Sequence, residues 1–334
     1  MMNHTLKSQC KVSPGTVISG KWHSKQYTIL KELGFGANGI VYLAKHKNTQ
    51  VALKMSDNGM SITSEVNVLK SFAKVQGSAL GPSLLDVDDW QNKSGQISFY
   101  VMEYIQGTDL LSFIQQKGKA WTIVLFLQLL NDLDKLHKTG WVFGDLKPEN
   151  LIVTGPPPKI RCIDVGGTTI QGRAIKEFTE FYDRGYWGLG TRKAEPSYDL
   201  FAVAMIMINT AYPKRFNKTA GGLSQLREAI KQQPELVPLE KVILKALQGQ
   251  YVNAKQMRAD LLDLMVDKTT QDKSPPLRTK QAESKTPPAN NPEKSKAITR
   301  QHYRRKKKKS RWLETMLIAA GIILLYVVYI FKMM

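Results

Sequence analysis

The loop at residues 144–150, with the sequence Gly-Asp-Leu-Lys-Pro-Glu-Asn, constrains the fold and chemistry of this chain more than any other segment. It lies between a predicted helix and a predicted strand, where loops commonly carry reactive side chains. Asp145 can accept a proton from a hydroxyl group, and Lys147 can offset negative charge on a phosphoryl group. Asn150 can bind a metal ion, so three complementary groups occupy one loop.

A second carboxylate, Asp164, follows fourteen residues after Asn150, just beyond the strand-like residues 159–162. Phosphoryl transfer depends mainly on positioning and on charge neutralisation. It needs a base, a lysine on the phosphates and two oxygen ligands for Mg²⁺. The loop and this carboxylate together indicate a phosphotransferase.

A glycine-rich segment at residues 34–39, Gly-Phe-Gly-Ala-Asn-Gly, separates strand-like patterns at residues 27–30 and 41–44. Glycines allow backbone N–H groups to approach phosphates closely. The spacing alone is weak evidence, because dinucleotide-binding loops have the same glycines. Those loops are followed by a helix, whereas a strand follows here, which disfavours that type of site.

Lys54 ends the strand-like run at residues 51–54, and Glu65 lies eleven residues later in a helical pattern. An isolated lysine in a strand is usually a surface residue. A buried Lys54–Glu65 pair would instead hold the lysine toward nucleotide phosphates. The short separation requires a tight connection between the strand and the helix.

Residues 100–107, Tyr-Val-Met-Glu-Tyr-Ile-Gln-Gly, end another predicted strand. An extended backbone at this point would present N–H and C=O groups to an adenine ring. A plain core strand followed by a turn explains the same residues equally well, so both interpretations stay open.

About half of the formal net charge of +20 lies in residues 266–311, which hold fifteen Lys or Arg residues against four Asp or Glu residues. This segment also contains several prolines and few large apolar residues. It cannot bury enough surface to offset chain entropy, so its composition predicts a disordered linker. Attraction to the phosphates of nucleic acid or anionic lipid is the functional alternative to a merely solvated charged run.

Residues 316–331 form a run of sixteen residues without a charge. Spanning a bilayer takes roughly 17–25 residues, and the flanking residues extend this run to a predicted transmembrane helix at 312–332. The basic residues before it place the N-terminal part in the cytoplasm under the positive-inside rule, with one C-terminal anchor in the cell membrane. Two distant cysteines, Cys10 and Cys162, agree with a reducing compartment.

The order and spacing of these motifs resemble the eukaryotic-like, or Hanks-type, serine/threonine protein kinases of bacteria over residues 25–265. The resemblance implies an α+β fold, with a small β-rich N-lobe and a mostly helical C-lobe. It implies ATP with Mg²⁺ or Mn²⁺ as cofactors, and protein Ser/Thr hydroxyls as substrates. The layout of kinase domain, basic linker and C-terminal helix is similar to that of kinases from spore-forming bacilli, which suggests a role in sporulation.

The resemblance also implies roles for individual residues. It assigns catalysis to Asp145, as the base, and to Lys147, and it gives Asp199 a buried organising role in the same loop. It assigns metal binding to Asn150 and Asp164. The implied ATP-binding residues are Leu33, Gly34, Phe35, Gly36, Ala37, Asn38, Gly39, Ile40, Val41, Lys54, Glu65, Met102 and Glu103.

The sequence departs from the family pattern at three places. Phe143 and Gly144 replace the usual His-Arg before the catalytic aspartate, so no arginine is available there to receive a phosphate on the activation loop. Val165 replaces the phenylalanine of the Asp-Phe-Gly motif, and residues 185–190 occupy the place of an unrecognisable Ala-Pro-Glu motif. Candidate autophosphorylation sites are Thr168, Thr169, Thr179 and Thr191.

The basic residues beside the apolar run suggest a regulatory contact. They can attract anionic lipid or bind the phosphate backbone of DNA, and DNA could gather copies of the chain for trans-autophosphorylation. The cations in question are Arg304, Arg305, Lys306, Lys307, Lys308, Lys309 and Arg311.

The predicted organisation has four parts: an N-terminal extension at 1–24, a kinase domain at 25–265, a disordered Pro/Lys-rich linker at 266–311 and a transmembrane helix at 312–332. Two other functions stay open beside the protein kinase. One is a phosphotransferase of the same fold that acts on a small molecule or lipid, and the other is a non-catalytic membrane scaffold.

Overall fold

The computed structural model describes residues 10–36, 39–74, 80–92, 95–212 and 214–271. The predicted basic cations and transmembrane helix lie outside the described residues, as do Ala37, Asn38 and most of the predicted linker. Within the described ranges, no helix combines the length and the apolar character needed to cross a membrane.

The small lobe contains a six-stranded antiparallel sheet with the strand order β1-β2-β3-β4-β6-β5. The predicted strands at residues 27–30, 41–44 and 51–54 all lie within it. Its strands are β1 (Val17–Ser19), β2 (Gln26–Gly36), β3 (Gly39–His46), β4 (Thr49–Ser56), β5 (Leu84–Asn92) and β6 (Gly95–Glu103).

The core of this sheet includes residues that precede the predicted start of the kinase domain. Cys10 and Ile18 are buried in the same apolar cluster as Tyr42 and Leu53. Strand β1 also pairs with β2, which fixes residues 17–19 against the sheet. The small lobe therefore begins well before residue 25, and the described part of the predicted extension is integral to it.

One long helix, α1 (Gly59–Lys74), is separated from the end of β4 by only two residues and lies beside the sheet. The Asn58 side chain accepts hydrogen bonds from the backbone N–H groups of Met60 and Ser61, as an N-terminal cap does. Ile62, Val66 and other apolar residues at helical spacing bury one face of the helix. The connection from β4 is as tight as the Lys54–Glu65 spacing requires.

The large lobe is mainly helical. Its helices are α2 (Leu110–Lys117), α3 (Ala120–Lys138), α4 (Arg184–Trp187), α5 (Pro196–Ala211), α6 (Leu223–Lys231), α7 (Glu240–Leu247) and α8 (Ala254–Gln271). Its short strands are β7 (Thr108–Asp109), β8 (Trp141–Val142), β9 (Leu151–Thr154), β10 (Lys159–Cys162) and β11 (Thr169–Ile170). They form two small sheets, β10-β9-β7 and β11-β8, which carry the loops between them.

Helix α5 is the centre of this lobe, since every residue from Tyr198 to Asn209 is buried. A helix that is apolar on all sides is typical of a protein core. Helix α8 runs six residues beyond the predicted boundary at residue 265, because no proline or glycine interrupts residues 254–274. The described residues confirm the predicted two-lobed α+β fold and move both ends of the folded domain outward.

Candidate active site

A cleft of about 420 Å³ lies between the sheet of the small lobe and the loops of the large lobe. Its volume is within the range of small-molecule sites. The sequence-predicted residues that line it are Leu33, Gly34, Phe35, Gly36, Gly39, Val41, Lys54, Met102, Glu103, Asn150 and Asp164. Residues from the glycine-rich strands, the β6 end and the polar loop thus meet at one cavity.

Ile40 is an exception among the predicted nucleotide-binding residues. Its side chain is buried in the small-lobe core and is not among the residues that line the cleft. Successive residues of a strand point to opposite faces, and Gly39 and Val41 occupy the cleft face. Five further lining residues belong to residues 100–107, for which a backbone facing an adenine ring was one of two interpretations: Tyr100, Tyr104, Ile105, Gln106 and Gly107. The lining residues that the sequence analysis missed are Ala52, Pro82, Ile152, Ile163 and Glu177.

Lys54 and Glu65 form a buried ion pair, with 2.6 Å between Lys54 Nζ and Glu65 Oε2. The two side chains come from the sheet and from helix α1, so the pair joins these elements. Breaking a buried pair by removing one partner leaves an uncompensated charge, which is strongly destabilising. The arrangement brings the lysine to the cleft while the glutamate stays behind it.

The polar loop brings Asp145 and Lys147 into direct contact through Lys147 Nζ and Asp145 Oδ2. Thr179 donates from its hydroxyl to Asp145 Oδ1 at 2.9 Å, and its Oγ1 accepts from Lys147 Nζ at 3.2 Å. Thr179 therefore completes a three-residue network that the sequence analysis did not foresee. It lies more than thirty positions along the chain, so no local spacing could reveal it.

Asn150 and Asp164 offer oxygen atoms to the same cleft. Asn150 Nδ2 donates to the Asp145 carbonyl at 3.0 Å, which fixes the orientation of the amide. Asp164 is exposed, and its Oδ1 accepts from the Gly166 N–H at 2.9 Å. Carboxylate and amide oxygens are the ligands that Mg²⁺ takes in proteins, so this donor set fits that ion.

Asp199 binds the backbone at the start of the polar loop. Its carboxylate accepts from the N–H groups of Phe143 and Gly144 at 2.8 and 2.9 Å, and lies 2.8 Å from Nε2 of His137. Asp199 is fully buried in the first turn of α5. The core helix therefore fixes the position of Asp145 through two backbone hydrogen bonds.

Gly144 has a backbone conformation that favours glycine, with φ of +86°. A Cβ atom at this position would lie 2.5 Å from the carbonyl oxygen of Gly167. The absence of arginine here is thus more than the loss of a phosphate-binding charge. Glycine at position 144 allows the backbone of Gly167 to pack directly against the loop.

Restoring the family arginine by Gly144→Arg is expected to lower the free energy of unfolding by about 3 kcal/mol, from backbone strain and the collision with Gly167. Gly140→Arg is the matched control, because Gly140 has φ of +85° and a Cβ atom there would meet no other atom within 4 Å. Backbone strain alone should lower the free energy of unfolding of the Gly140→Arg variant by roughly 1–2 kcal/mol. Denaturant unfolding measures both, and equal losses would contradict the account.

The activation segment, residues 164–187, is attached to the residues that follow it by backbone hydrogen bonds and by a buried side chain. Gly172 N–H donates to Ala194 O at 2.8 Å, and Ile175 N–H donates to Arg192 O at 2.9 Å. The Ile175 side chain is buried in a small cluster with Ala194. The segment is thus fixed by pairing with the chain before α5.

Two of the four candidate autophosphorylation sites, Thr168 and Thr169, are buried. Thr169 lies in β11, which pairs with β8. Thr179 is engaged with Asp145 and Lys147. Thr191 is exposed.

Asp183 and Arg184 are buried where the family motif Ala-Pro-Glu was not recognisable. Asp183 accepts from the Tyr198 hydroxyl at 2.8 Å and from Arg192 Nε at 2.8 Å. Burial alone would raise the pKa of the Asp183 carboxyl, but these bonds and two backbone N–H groups outweigh it and lower the pKa. Arg184 pairs with the partly exposed Glu195 at 2.7 Å, so the ion pairs of two buried charges, Asp183 and Arg184, secure this end of the segment.

The β6 end of the cleft is fixed by Arg161, which binds both carboxylate oxygens of Glu103. This fork-like contact, with a hydrogen bond from the Ser83 N–H, lowers the pKa of Glu103 below its ordinary value despite partial burial. The backbone from Glu103 to Gly107 therefore runs along the cleft in a fixed position. That position suits an extended segment facing an adenine ring.

Comparison with known proteins agrees with this geometry. Residues 27–283 match the family model described as the protein kinase domain. The chain is 53% identical to the serine/threonine-protein kinase YabT of Bacillus subtilis over 341 aligned positions, covering 99% of this chain and 98% of the relative. It is 26% identical to the serine/threonine-protein kinase PknF of Mycobacterium tuberculosis over 250 positions, covering 67% of this chain and 52% of the relative.

Another relative is the serine/threonine-protein kinase ppk31 of Schizosaccharomyces pombe, at 32% identity over 158 positions. Those positions cover 42% of this chain and 14% of the relative. The nearly full-length match and the matched family model agree with the cleft, its Lys–Glu pair and its polar loop. The chain therefore belongs to the protein kinase family, as a bacterial Hanks-type serine/threonine kinase that uses ATP and Mg²⁺ to phosphorylate proteins.

Proposed function

We propose that Asp145 is the catalytic base of this kinase and that it works from a membrane-anchored chain. The observation that carries the catalytic part is the network of Asp145, Lys147 and Thr179 at the edge of the cleft. A substrate hydroxyl beside Asp145 would lose its proton to the carboxylate. Lys147, already within reach, would offset charge on the transferring group.

Lys54 is proposed to contact the α- and β-phosphates, held in place by Glu65. Backbone N–H groups around Gly34, Gly36 and Gly39 would cover the phosphates from the small lobe. Asn150 and Asp164 would hold Mg²⁺. Bound there, the ion supplies charge neutralisation between the phosphates.

The membrane part of the proposal rests on sequence. The sixteen uncharged residues at 316–331, flanked by seven cations between 304 and 311, support a C-terminal anchor with the kinase domain on the cytoplasmic side.

The seven cations are proposed to bind phosphate groups of anionic lipid beside the anchor, at roughly 1 kcal/mol per basic residue near the surface. Proximity to the bilayer favours lipid over the DNA backbone as the usual partner. Crowding of anchored chains in two dimensions would also promote self-association and trans-autophosphorylation.

The test compares the full-length chain with a variant in which the seven cations are changed to glutamine. Each is mixed with anionic vesicles, with zwitterionic vesicles, or with duplex DNA, at low and at high salt. The matched control carries seven neutralised lysines that are exposed on the large lobe: Lys117, Lys138, Lys159, Lys193, Lys231, Lys241 and Lys255.

The proposal predicts that the chain and the control cofloat with both vesicle types. Anionic vesicles should raise autophosphorylation in the chain and in the control but not in the glutamine variant, and high salt should remove the effect. Stimulation by DNA alone would reject lipid as the partner. Failure to float with any vesicle would reject the anchor.

A further inference from the structure

Tyr100 lies directly across the sheet from Lys54, in register between strands β6 and β4. Opposite residues of paired strands place their side chains on the same face. Both side chains accordingly reach one atom of helix α1. Lys54 Nζ is 2.6 Å from Glu65 Oε2, and the Tyr100 hydroxyl donates to the same oxygen at 2.8 Å.

The other Glu65 oxygen is engaged from within the helix. The Ser61 hydroxyl donates to Glu65 Oε1 at 3.3 Å, one turn earlier in α1. The carboxylate therefore has an ammonium donor and two hydroxyl donors. Of these three donors, only the Lys54 ammonium carries a charge that nucleotide phosphates would attract, although Tyr100 also lines the cleft.

The Tyr100 hydroxyl is well suited to a permanent contact. Tyr100 is 1% exposed, and its ring packs in the same core as Val66 and Leu69 of α1. Burial, and then the negative charge of Glu65, raises the pKa of Tyr100 well above its ordinary value. The hydroxyl is consequently protonated, and able to donate, at neutral pH.

We infer that Tyr100 is a positioning residue that holds Glu65, and with it helix α1, against the sheet whether or not Lys54 is engaged with nucleotide. The inference rests on the proposed role of Lys54. It places the support for the Lys–Glu pair inside the small lobe. That support requires no phosphate on the activation segment, whose contact with α1 through Lys176 Nζ and Ser64 Oγ is exposed.

The functional test uses Tyr100→Phe in the full-length chain, which removes one oxygen and keeps the ring. Loss of a hydrogen bond to a charged group changes an equilibrium constant by roughly tenfold or more. We therefore expect kcat/KM for ATP to fall about tenfold. Tyr27→Phe is the matched control, because Tyr27 is buried in the same sheet and donates to Asp86 at 2.6 Å. The control should stay within about twofold of the unmodified chain.

A double-mutant cycle separates positioning from general packing. In a Glu65→Ala background, which removes the acceptor of the Tyr100 hydroxyl, Tyr100→Phe should change kcat/KM by less than about twofold. An undiminished effect in that background would overturn the inference. So would a Tyr100→Phe variant with kcat/KM equal to that of the unmodified chain.

Helix position gives a readout that does not depend on catalysis. Spin labels at Lys70→Cys on α1 and Lys45→Cys on β3, both exposed, report the distance between the helix and the sheet without nucleotide. The distribution should broaden with Tyr100→Phe, and an unchanged distribution would overturn the inference. If the unmodified chain itself transfers no phosphate, the roles given under the proposed function fail. If it transfers normally and Tyr100→Phe matches it, only the role of Tyr100 fails.

Discussion

Asp145→Asn is expected to lower kcat by roughly 10²- to 10⁴-fold, the range supplied by a positioned general base. Asparagine keeps the size of the side chain and accepts no proton at neutral pH. The Lys54–Glu65 pair and the cleft wall are untouched, so ATP affinity should change by no more than about threefold. Steady-state transfer to a protein substrate measures the first quantity, and nucleotide titration measures the second.

Asp134→Asn is the matched control for this variant. Asp134 is a half-buried aspartate of the same lobe, paired with Lys138 at 2.6 Å along α3 and remote from the cleft. Asp134 does not line the cleft, and an i,i+4 pair with an exposed lysine contributes little to stability, so the kcat of this variant should remain within about twofold. Retention of kcat in Asp145→Asn would show that another group accepts the hydroxyl proton.

Asp199→Ala is expected to have the largest effect on stability, about 3–5 kcal/mol in the free energy of unfolding. The substitution leaves the buried N–H groups of Phe143 and Gly144 without their acceptor and removes the partner of His137. The polar loop would lose its attachment to α5. Activity should therefore fall even at temperatures where the variant remains folded.

Asp260→Ala provides the comparison for this loss. Asp260 also accepts two side-chain donors, Lys245 at 2.6 Å and Tyr251 at 2.8 Å, but it is partly exposed on α8. Because water can replace these contacts, we expect Asp260→Ala to lower the free energy of unfolding by at most about 1 kcal/mol. Urea unfolding of both variants decides the matter, and similar losses would contradict the central role of the Asp199 contacts.

The parts of the cleft that could be predicted from sequence are those in which neighbouring residues carry the chemistry. Asp145, Lys147 and Asn150 lie in one short loop, so their proximity was implicit in their spacing. Lys54 and Glu65 required one further step, the recognition of a strand followed by a helix. Their contact at 2.6 Å agrees with that step.

Contacts between distant segments could not be predicted in this way. Thr179 reaches Asp145 only because the activation segment folds back over the loop, and no periodicity in the sequence encodes that path. Tyr100 reaches Glu65 through the register of β4 and β6. The position of Ile40, by contrast, was available from strand alternation once Val41 had been assigned to the cleft.

Gly144 shows how a correct observation can be incomplete. The sequence shows that the arginine is missing, which favours regulation of activity from outside the activation segment. The structure adds the positive φ of Gly144 and the nearby Gly167 carbonyl. The glycine is thus part of how the segment packs, while regulation by the basic cations stays a prediction.

The central claim is that this polar loop transfers phosphate from ATP to serine and threonine. The most direct measurement incubates the full-length chain with γ-labelled ATP, Mg²⁺ and a basic protein, and then identifies the labelled amino acids. The account predicts label on serine and threonine that disappears on chelation of the metal and in Asp145→Asn. Label on tyrosine alone, on a small molecule alone, or at an undiminished level in Asp145→Asn would contradict it.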